Sequence, residues 1–302
     1  MITRDLAAFA DRFRRTPADL PACAKAAFLV APEGFALAEQ SARDNAYMAM
    51  DAAVDPQRAL AQHRALQAAL TEELPVSCFP GDPQAPDGLF PNNVFGTAPG
   101  RLVIGRMRHP VRQREAERAD IRAFFTGVLG YEVVDLRGQP GVCELTGSLV
   151  IDRARGLGYC GLSERCDEAG AAAMHAAFGL RATLVFDLAP GEYHTNVVMS
   201  VLAGRALVVC PAGFADPAVP AALAGLYAPA VVELDAGQKA AFAGNCIALS
   251  PRRAWFSAAG AAALRPPQRA VLATAGLAVG EVPLDEIEKA GGSLRCCVAE
   301  IF

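Results

Sequence analysis

The residues most capable of covalent chemistry lie at the end of the chain, in the segment from Gly291 to Phe302. There a glycine pair, a serine, a leucine and an arginine precede Cys296 and Cys297, and an apolar run typical of a strand follows. Neighbouring side chains on a strand point to opposite faces, so we expect only one of the two thiols to face a cavity. The residues alone leave open which thiol it is.

A histidine that could activate such a thiol occurs where a loop enters an apolar strand, in the segment from Gly191 to Met199. His194 and Asn196 are two residues apart and therefore lie on one face of the predicted strand. A cysteine is mostly protonated near neutral pH and needs a base, for which histidine is suited. A histidine that only caps a strand end is the alternative, and the candidate thiol favours the catalytic interpretation.

Further polar residues could bind a substrate. Glu144 stands among apolar residues before a strand, where an unpaired carboxylate is costly and requires an arginine or a polar ligand. Asn93 ends a turn-rich loop, and Arg112 and Arg165 each occur at the start of a predicted helix. An arginine that faces a cavity can bind a carboxylate through two hydrogen bonds, although a simple turn and solvated arginines would also fit these patterns.

Composition narrows the class of protein. The 302 residues carry a net charge of −4, which does not suggest a nucleic acid or an anionic membrane as a partner. No apolar stretch is long enough to span a membrane, and charged residues interrupt the N-terminal segment, so we expect a cytoplasmic protein. Nine cysteines without paired spacing and four dispersed histidines predict neither a disulfide framework nor a zinc site.

The organisation of the chain is repetitive. Residues 1–25 are predicted to form a short helix and a proline-rich linker, and residues 26–302 to form a single catalytic domain. Within that domain five helical segments start about 42 to 55 residues apart, each placed among predicted strands. We therefore expect an α/β fold in which five units of strand, strand, helix and strand close into a ring. A doubly wound sheet is the alternative, but this sequence lacks the glycine-rich nucleotide-binding signature that is typical of such folds.

Seven motifs in order resemble those of the guanidine-modifying enzymes: arginine deiminases, dimethylarginine dimethylaminohydrolases and amidinotransferases. The most similar branch is the citrulline-utilization hydrolase type, the citrulline ureidase-like proteins. The resemblance implies a five-fold pseudosymmetric α/β propeller of the pentein type, with ββαβ repeats around a central active site. The motifs are Phe90-Pro91-Asn92-Asn93, Arg112 with Glu115, Glu144 with Thr146-Gly147-Ser148, Ser163 with Arg165, Tyr193-His194-Thr195-Asn196, Phe242-Ala243-Gly244-Asn245, and Gly291-Gly292-Ser293-Leu294-Arg295-Cys296.

The resemblance also implies roles for individual residues. It makes Cys296 the nucleophile, which leaves the second thiol facing away, and His194 the general acid and base. Glu144 would contact the substrate head group or orient the histidine. Arg112 and Arg165 would hold the carboxylate of an amino-acid substrate. Three positions depart from the branch pattern, which usually has tryptophan, glycine and methionine where this chain has Val94, Leu145 and Cys297.

Amide residues indicate a neutral head group. Arginine deiminases typically have aspartates at the positions of Asn93 and Asn196, and those charges bind a guanidinium cation. An amide instead matches the carbonyl and N–H groups of a ureido group, so we expect citrulline, with Asn245 as a further contact. Cys296, as a thiolate beside the imidazolium of His194, would attack the ureido carbon, and an asparagine would stabilise the oxyanion. Ornithine would leave, and water would release carbon dioxide and ammonia without a metal or organic cofactor.

Two alternatives use the same residues differently. The first is an arginine deiminase-like or dimethylarginine dimethylaminohydrolase-like enzyme that takes arginine or a methylated arginine and yields citrulline. The second is a non-catalytic propeller that only binds an amino acid. In each case the expected partner is a small amino acid, with no nucleic acid and no membrane, and a homodimer is possible.

Overall fold

The computed structural model describes all 302 residues and contains sixteen β-strands in five separate sheets. Most strands are only three to six residues long, so each sheet is small and buries one layer of side chains. The strands are β1 Ile2–Thr3, β2 Ala26–Val30, β3 Val76–Phe79, β4 Phe95–Ala98, β5 Arg101–Ile104, β6 Glu132–Asp135, β7 Leu149–Asp152, β8 Leu157–Leu162, β9 Ala182–Asp187, β10 Met199–Leu202, β11 Ala206–Val209, β12 Val231–Glu233, β13 Ile247–Ser250, β14 Arg253–Ser257, β15 Ala278–Val282 and β16 Ala299–Ile301.

The helices are mostly short, and none is long and apolar enough to cross a membrane. Single 3₁₀ turns occur at Pro91–Asn93, Arg114–Glu117 and Pro211–Gly213, and a π-helical turn at Phe124–Val128. The α-helices are α1 Leu6–Arg15, α2 Glu39–Ala42, α3 Pro56–Thr71, α4 Pro110–Gln113, α5 Ala119–Ala123, α6 Leu145–Ser148, α7 Glu168–Ala177, α8 Thr195–Val198, α9 Ala218–Tyr227, α10 Ala236–Ala240, α11 Ala258–Ala263, α12 Pro266–Thr274, α13 Asp285–Glu288 and α14 Leu294–Cys297.

All five sheets have the same topology. The first strand pairs antiparallel with the second, and the second pairs parallel with the third, after a connection that contains a helix. The sheets are β16-β2-β3, β4-β5-β6, β7-β8-β9, β10-β11-β12 and β13-β14-β15, and β1 adds a fourth strand to the third of them, beside β9. Because β16 joins β2, the two ends of the domain complete one sheet together. The predicted recurrence of strand, strand, helix and strand is therefore present in a mixed α/β fold.

A short turn precedes the first strand of every sheet and carries polar residues. The 3₁₀ turn with Asn93 leads into β4, α6 follows Glu144, and α8 follows His194. A turn that ends at Asn245 leads into β13, and α14 with Cys296 leads into β16. Several of these turns are direct neighbours, since α6 contacts both α8 and the Pro91–Asn93 turn, and α14 contacts the latter. The repeat thus gathers residues that are distant in sequence.

Most predicted elements are confirmed, and the errors have local causes. The strands at residues 26–30 and 76–79 agree with the structure, whereas the helix predicted for residues 111–129 is divided into four short helical pieces. The prediction that Cys296 and Cys297 lie on a strand is wrong, because α14 is a helical turn and β16 begins at Ala299. The backbone N–H groups of both cysteines donate to the carbonyl oxygen of Ser293, which closes this turn.

The N-terminal residues pack on the third sheet. Strand β1 pairs parallel with β9, and α1 buries Phe9 and Phe13. The ring of Phe9 meets that of Tyr159 edge to face at 5.5 Å between centroids, and Phe13 meets Tyr227 at 5.3 Å. The predicted helix in residues 1–25 is confirmed, while the domain boundary at residue 25 stays a prediction.

Two helical glycines provide a matched test of packing in this fold. In α7, a Cβ atom on Gly170 would lie 1.8 Å from the carbonyl oxygen of Val142, whereas in α9 a Cβ atom on Gly225 would meet nothing within 4 Å. We expect Gly170→Ala to lower the free energy of unfolding by about 1–3 kcal/mol through overpacking. Gly225→Ala should instead raise it by up to about 1 kcal/mol through helix propensity. Urea unfolding followed by circular dichroism measures both, and equal midpoints would contradict the packing.

Candidate active site

The thiol of Cys296 is fully buried among amide side chains. Its Sγ atom lies 3.3 Å from Nδ2 of Asn245 and 3.8 Å from Nδ2 of Asn196. The backbone N–H of Cys296 donates to Oδ1 of Asn245 at 3.3 Å, so this asparagine contacts the cysteine on two sides. Cys297 is equally buried in the same apolar cluster, but it does not line the cavity that Cys296 lines. The helical turn, rather than strand alternation, separates the two thiols.

A second group of amides keeps unused acceptors. Oδ1 of Asn93 and Oδ1 of Asn92 are buried and have no hydrogen-bond partner. Asn196, in contrast, is held in place, because its Nδ2 donates to the carbonyl oxygen of Thr146 at 3.1 Å and its Oδ1 accepts from Asn245 at 3.3 Å. Buried polar groups without partners are uncommon in folded proteins, so the free acceptors suit the N–H groups of a ligand.

His194 is oriented by a buried carboxylate. Its Nε2 atom lies 2.9 Å from Oε2 of Glu144, and Nη1 of Arg165 donates to the same oxygen at 3.1 Å. The other oxygen of Glu144 accepts from the backbone N–H of Arg108 at 3.1 Å. Of the two roles expected for Glu144, the geometry therefore favours orientation of the histidine. Nδ1 of His194 is buried without a partner and remains free to exchange a proton.

A glycine makes room for the free histidine nitrogen. A Cβ atom on Gly147 would lie 2.8 Å from Nδ1 of His194 and 2.7 Å from Oδ1 of Asn93. Both distances are shorter than ordinary contacts of a Cβ atom, so only glycine fits without displacing one of these groups. Nδ1 of His194 and Oδ1 of Asn93 therefore both lie close to the backbone at Gly147.

The pKa shifts in this group have clear causes. Burial would raise the pKa of Glu144, but the charge of Arg165 and the hydrogen bond with His194 outweigh burial and hold that pKa well below its usual range. Burial lowers the pKa of His194 and raises that of Cys296. These directions favour a neutral thiol and a neutral imidazole in the unliganded protein, in place of the thiolate and imidazolium expected from the sequence.

The two predicted arginines differ in how much of the guanidinium is available. Arg112 uses Nε and Nη2 to bind Glu115 at 2.8 and 2.7 Å, while Nη1 has no partner. Arg165 uses all three nitrogen atoms: besides Glu144 it binds Asp44 through Nε at 2.8 Å and the carbonyl oxygen of Ser41 through Nη2 at 2.9 Å. Arg112 can thus donate to a ligand without losing a contact. The role of Arg165 as a carboxylate clamp stays a prediction, since its contacts hold Glu144.

One cavity, which we call the front cavity, brings together Cys296, Asn93 and the two arginines, whereas His194, Glu144, Asn196 and Asn245 are not among its lining residues. It includes several residues that the sequence reasoning missed, from the loop at residues 31–55 and from the turn before Phe90. Asp87 reads as an ordinary turn residue in a Pro-Asp-Gly sequence, so no local signal marked it. The front cavity is lined by Ser41, Asn45, Asp87, Phe90, Asn93, Arg112, Arg165, Tyr193, Ala290, Gly292 and Cys296.

The fold and the site together define a class of protein. Five α/β units of one topology, with a buried thiol, a histidine–glutamate pair and amides on neighbouring turns, are the features of the pentein superfamily of amidinotransferase-like and dimethylarginine hydrolase-like enzymes. A family model described as N,N dimethylarginine dimethylhydrolase, eukaryotic, matches residues 31–302, and the chain belongs to this family. It is accordingly an enzyme, a hydrolase that acts on C–N bonds.

Several solved structures share the fold at low sequence identity. The N-terminal domain of ArgZ, an arginine dihydrolase from the ornithine-ammonia cycle in cyanobacteria, was solved as a cysteine-to-serine variant bound to substrate. It has 20% identity and a TM-score of 0.78, over 91% of this chain and 97% of that one. AgrE with ornithine and NAD⁺ has 22% identity and a TM-score of 0.77, over 92% of this chain and 39% of that one.

A third similar structure is a dimethylarginine dimethylaminohydrolase in which a histidine is replaced by glycine, as an adduct with S-methyl-L-thiocitrulline. It has 21% identity and a TM-score of 0.71, over 92% of this chain and 100% of that one. At these identities the likeness establishes the fold alone. No curated protein matches the chain.

The position of Gly147 yields a prediction for activity. We expect Gly147→Ala to reduce kcat by about a hundredfold, because the added Cβ displaces Nδ1 of His194 or Oδ1 of Asn93, and small misplacements of catalytic groups cost that much. Steady-state kinetics of amino-acid hydrolysis measure the effect. Gly225→Ala is the matched control and should retain the parent kcat. A Gly147→Ala enzyme of parent activity would show that the two groups need no such clearance.

The raised pKa of Cys296 predicts a pH dependence of labelling. A thiolate is the form that reacts with iodoacetamide, and burial disfavours that charged form. In the unliganded protein we therefore expect slow labelling of Cys296 at neutral pH and a rate that rises as the pH is raised beyond the usual thiol range. Peptide mass spectrometry over a pH series measures the rate, with Cys296→Ser as the control for assignment. A plateau already reached near neutral pH would contradict a protonated thiol.

Proposed function

We propose that this enzyme hydrolyses a ureido amino acid, with citrulline as the substrate and ornithine, carbon dioxide and ammonia as products. One observation carries the proposal: the thiol of Cys296 is surrounded by amide side chains, not by carboxylates. Glu144 is engaged by Arg165 and His194, and Glu115 by Arg112, while Asp87, which lines the front cavity, is assigned below to the amino-acid end of the substrate.

The amides match a neutral head group. A buried guanidinium without a free carboxylate partner would be poorly compensated, and removing a partner from a buried ion pair costs about 3–5 kcal/mol. A ureido group has N–H donors for the free oxygen of Asn93 and a carbonyl oxygen that can accept from the amide nitrogen atoms of Asn196 and Asn245. The same nitrogen atoms would stabilise the oxyanion that forms when sulfur attacks.

The front cavity supports the amino-acid part of this proposal. Nη1 of Arg112 is free to donate to an α-carboxylate, and the guanidinium is held rigid by Glu115. Asp87 lines the same cavity, and it accepts a hydrogen bond from Ser41 through one oxygen only. The second oxygen of Asp87 is thus available for an α-ammonium group. Nε of Arg112 lies 4.0 Å from the oxygen of Asp87 that Ser41 binds, so the α-carboxylate and the α-ammonium group would bind beside this ion pair.

The chemistry can be written with the groups of this site. The sulfur of Cys296 bonds to the ureido carbon, and its proton passes to the neutral imidazole of His194. The imidazolium, stabilised by Glu144, then protonates the amine that leaves as ornithine. The S-carbamoyl enzyme remains, and water attacks its carbonyl carbon with His194 as the base. Carbamic acid is released and breaks down to carbon dioxide and ammonia.

The similar structures support such a covalent route. An ArgZ protein with an asparagine replaced by serine is covalently bonded to a reaction intermediate. ArgZ is an arginine dihydrolase, and AgrE has been solved with ornithine bound. The covalent intermediate of ArgZ supports a covalent step on this fold, which we extend to this chain as part of the proposal, and the present chain covers only 39% of AgrE.

A second candidate function is hydrolysis of arginine or of a methylated arginine to citrulline. The family model favours it, because its description is that of a dimethylarginine hydrolase. In this alternative the guanidinium would lie against Asn93 and Asn196. The amide environment of Cys296 makes it the less favoured alternative.

The proposal also includes a closed ring of the five sheets. Neighbouring first strands support it, because β16 lies beside β4, β7 beside β10, and β10 beside β13. A five-fold propeller would place the five turns around one axis, in agreement with the convergence of their polar residues. The expected homodimer and the cytoplasmic location stay predictions.

A substrate panel tests the function. Purified enzyme is incubated separately with citrulline, arginine and dimethylarginine, and ornithine, citrulline and ammonia are quantified. We expect ornithine and ammonia from citrulline, and at least a thousandfold loss of kcat in Cys296→Ser because the nucleophile is removed. Citrulline formed from arginine, without ornithine from citrulline, would establish the second candidate instead. Binding of citrulline without any turnover would leave the non-catalytic propeller.

A further inference from the structure

Three buried ionisable side chains at the front cavity carry one more acidic group than basic groups. Asp87, Arg112 and Glu115 have exposed fractions of 3%, 3% and 5%. Arg112 binds Glu115 through Nε at 2.8 Å and through Nη2 at 2.7 Å, and its Nε atom lies 4.0 Å from Oδ2 of Asp87. One guanidinium group therefore faces two carboxyl groups. We call these three residues the charge triad.

The front cavity provides no further cation for the charge triad. Arg165 lines the same cavity, but it already binds both Glu144 and Asp44. Its single positive charge is thus shared by two carboxylates and leaves no surplus for a third. The other titratable groups that line the front cavity have no positive charge in either protonation state, and they are Tyr193 and Cys296.

The opposite side of Glu115 does not supply the missing charge either. Arg118 lies there, but it binds Asp120 through Nε and Nη2. Asp82 faces the same small cavity as Glu115 and Arg118, so this side also has more carboxyl groups than guanidinium groups. One carboxyl group of the charge triad consequently has no counter-ion in the protein.

Burial favours a proton on the charge triad. An ionised carboxyl group without a counter-ion is costly in a site from which water is excluded. Burial raises the pKa of Glu115 to about 7, although the charge of Arg112 opposes this shift, and burial also raises the pKa of Asp87. The two carboxyl groups interact with each other and with the same arginine, so the proton belongs to the pair. A cation that enters the front cavity would compensate the same charge.

We propose that Asp87 and Glu115 share one proton in the unliganded enzyme and that the α-ammonium group of the substrate displaces it, an inference that rests on the proposed function. The ammonium binds the free oxygen of Asp87, the O–H bond of the carboxyl group breaks, and the proton passes to solvent water. Two carboxylates then face two cations. Glu115 does not line the front cavity and acts through Arg112, so it is a positioning residue that makes the site select compounds with a free α-ammonium group.

Proton release on binding tests this proposal. Cys296→Ser removes the nucleophile, so citrulline binds without turnover, and isothermal titration calorimetry in buffers of different ionisation enthalpy counts the protons. We expect about one proton released per citrulline near pH 6, almost none near pH 8, and a dissociation constant about tenfold lower at the higher pH. The sign follows from the carboxyl pair, because below about pH 7 the ligand must displace the proton, whereas above it both groups are already ionised.

Two substitutions of Glu115 in the Cys296→Ser protein form a matched pair. Glu115→Gln removes the surplus carboxyl group, so binding should release no proton and the dissociation constant should stay constant between about pH 6 and pH 8. Glu115→Asp keeps the carboxyl group and should still release the proton, even if its affinity falls. A purely structural role of Glu115 would lower affinity in both variants without abolishing proton release in only one of them.

A pair of ligands makes the test independent of these variants. 5-Ureidopentanoate is citrulline without its α-ammonium group, and we expect it to bind Cys296→Ser more weakly and to release no proton. Citrulline that binds near pH 6 without proton release, or 5-ureidopentanoate that releases as many protons as citrulline, would overturn the shared proton and leave the proposed function intact. A protein that binds arginine but not citrulline would contradict the proposed function, and proton release would then be measured with arginine, which has the same α-ammonium group.

Discussion

The site depends on the shared carboxylate of Glu144, which is fully buried and binds groups from three separate segments. Arg165 supplies the positive charge that keeps this carboxylate ionised, and the backbone N–H of Arg108 occupies its second oxygen. Glu144 binds Nε2 of His194 and so fixes the orientation of the ring, which leaves Nδ1 as the nitrogen without a partner. Removing one partner of such a buried ion pair costs about 3–5 kcal/mol, so the arrangement constrains the fold as well as the histidine.

The remaining charged groups follow from this constraint. Arg165 is itself fixed by Asp44 and by the carbonyl oxygen of Ser41, which ties the loop at residues 31–55 to the site. Arg112 is paired with Glu115 and keeps one nitrogen atom for a ligand. Both arginines bind carboxylates of the protein, while the amides of Asn196 and Asn245 contact the sulfur of Cys296. A neutral head group and a charged amino-acid end are consistent with this separation.

Neutral groups in the resting site fit the same chemistry. Burial raises the pKa of Cys296 and lowers that of His194, which disfavours the charged form of both groups before the substrate binds. Charge then develops only when sulfur bonds to the substrate carbon and the proton moves to His194, where Glu144 stabilises it. The glycine at position 147 and the amides at positions 196 and 245 provide the space and the donors for that step. The resting enzyme does not need a charged nucleophile in a dry cavity.

The sequence by itself determined the repeated α/β units, the strands at residues 26–30 and 76–79, and the identity of the reacting groups, because these follow from local apolar patterns and from residue chemistry. The resemblance identified Cys296 as the nucleophile. Strand alternation does not explain why only one thiol faces the cavity, because local hydrogen bonds to Ser293 form a helical turn there. Only the tertiary structure decided that Arg165 holds Glu144 and that Arg112 keeps a free nitrogen. Contacts such as Arg165 with Asp44 join residues 121 positions apart, and no local pattern encodes which of many arginines and carboxylates will meet.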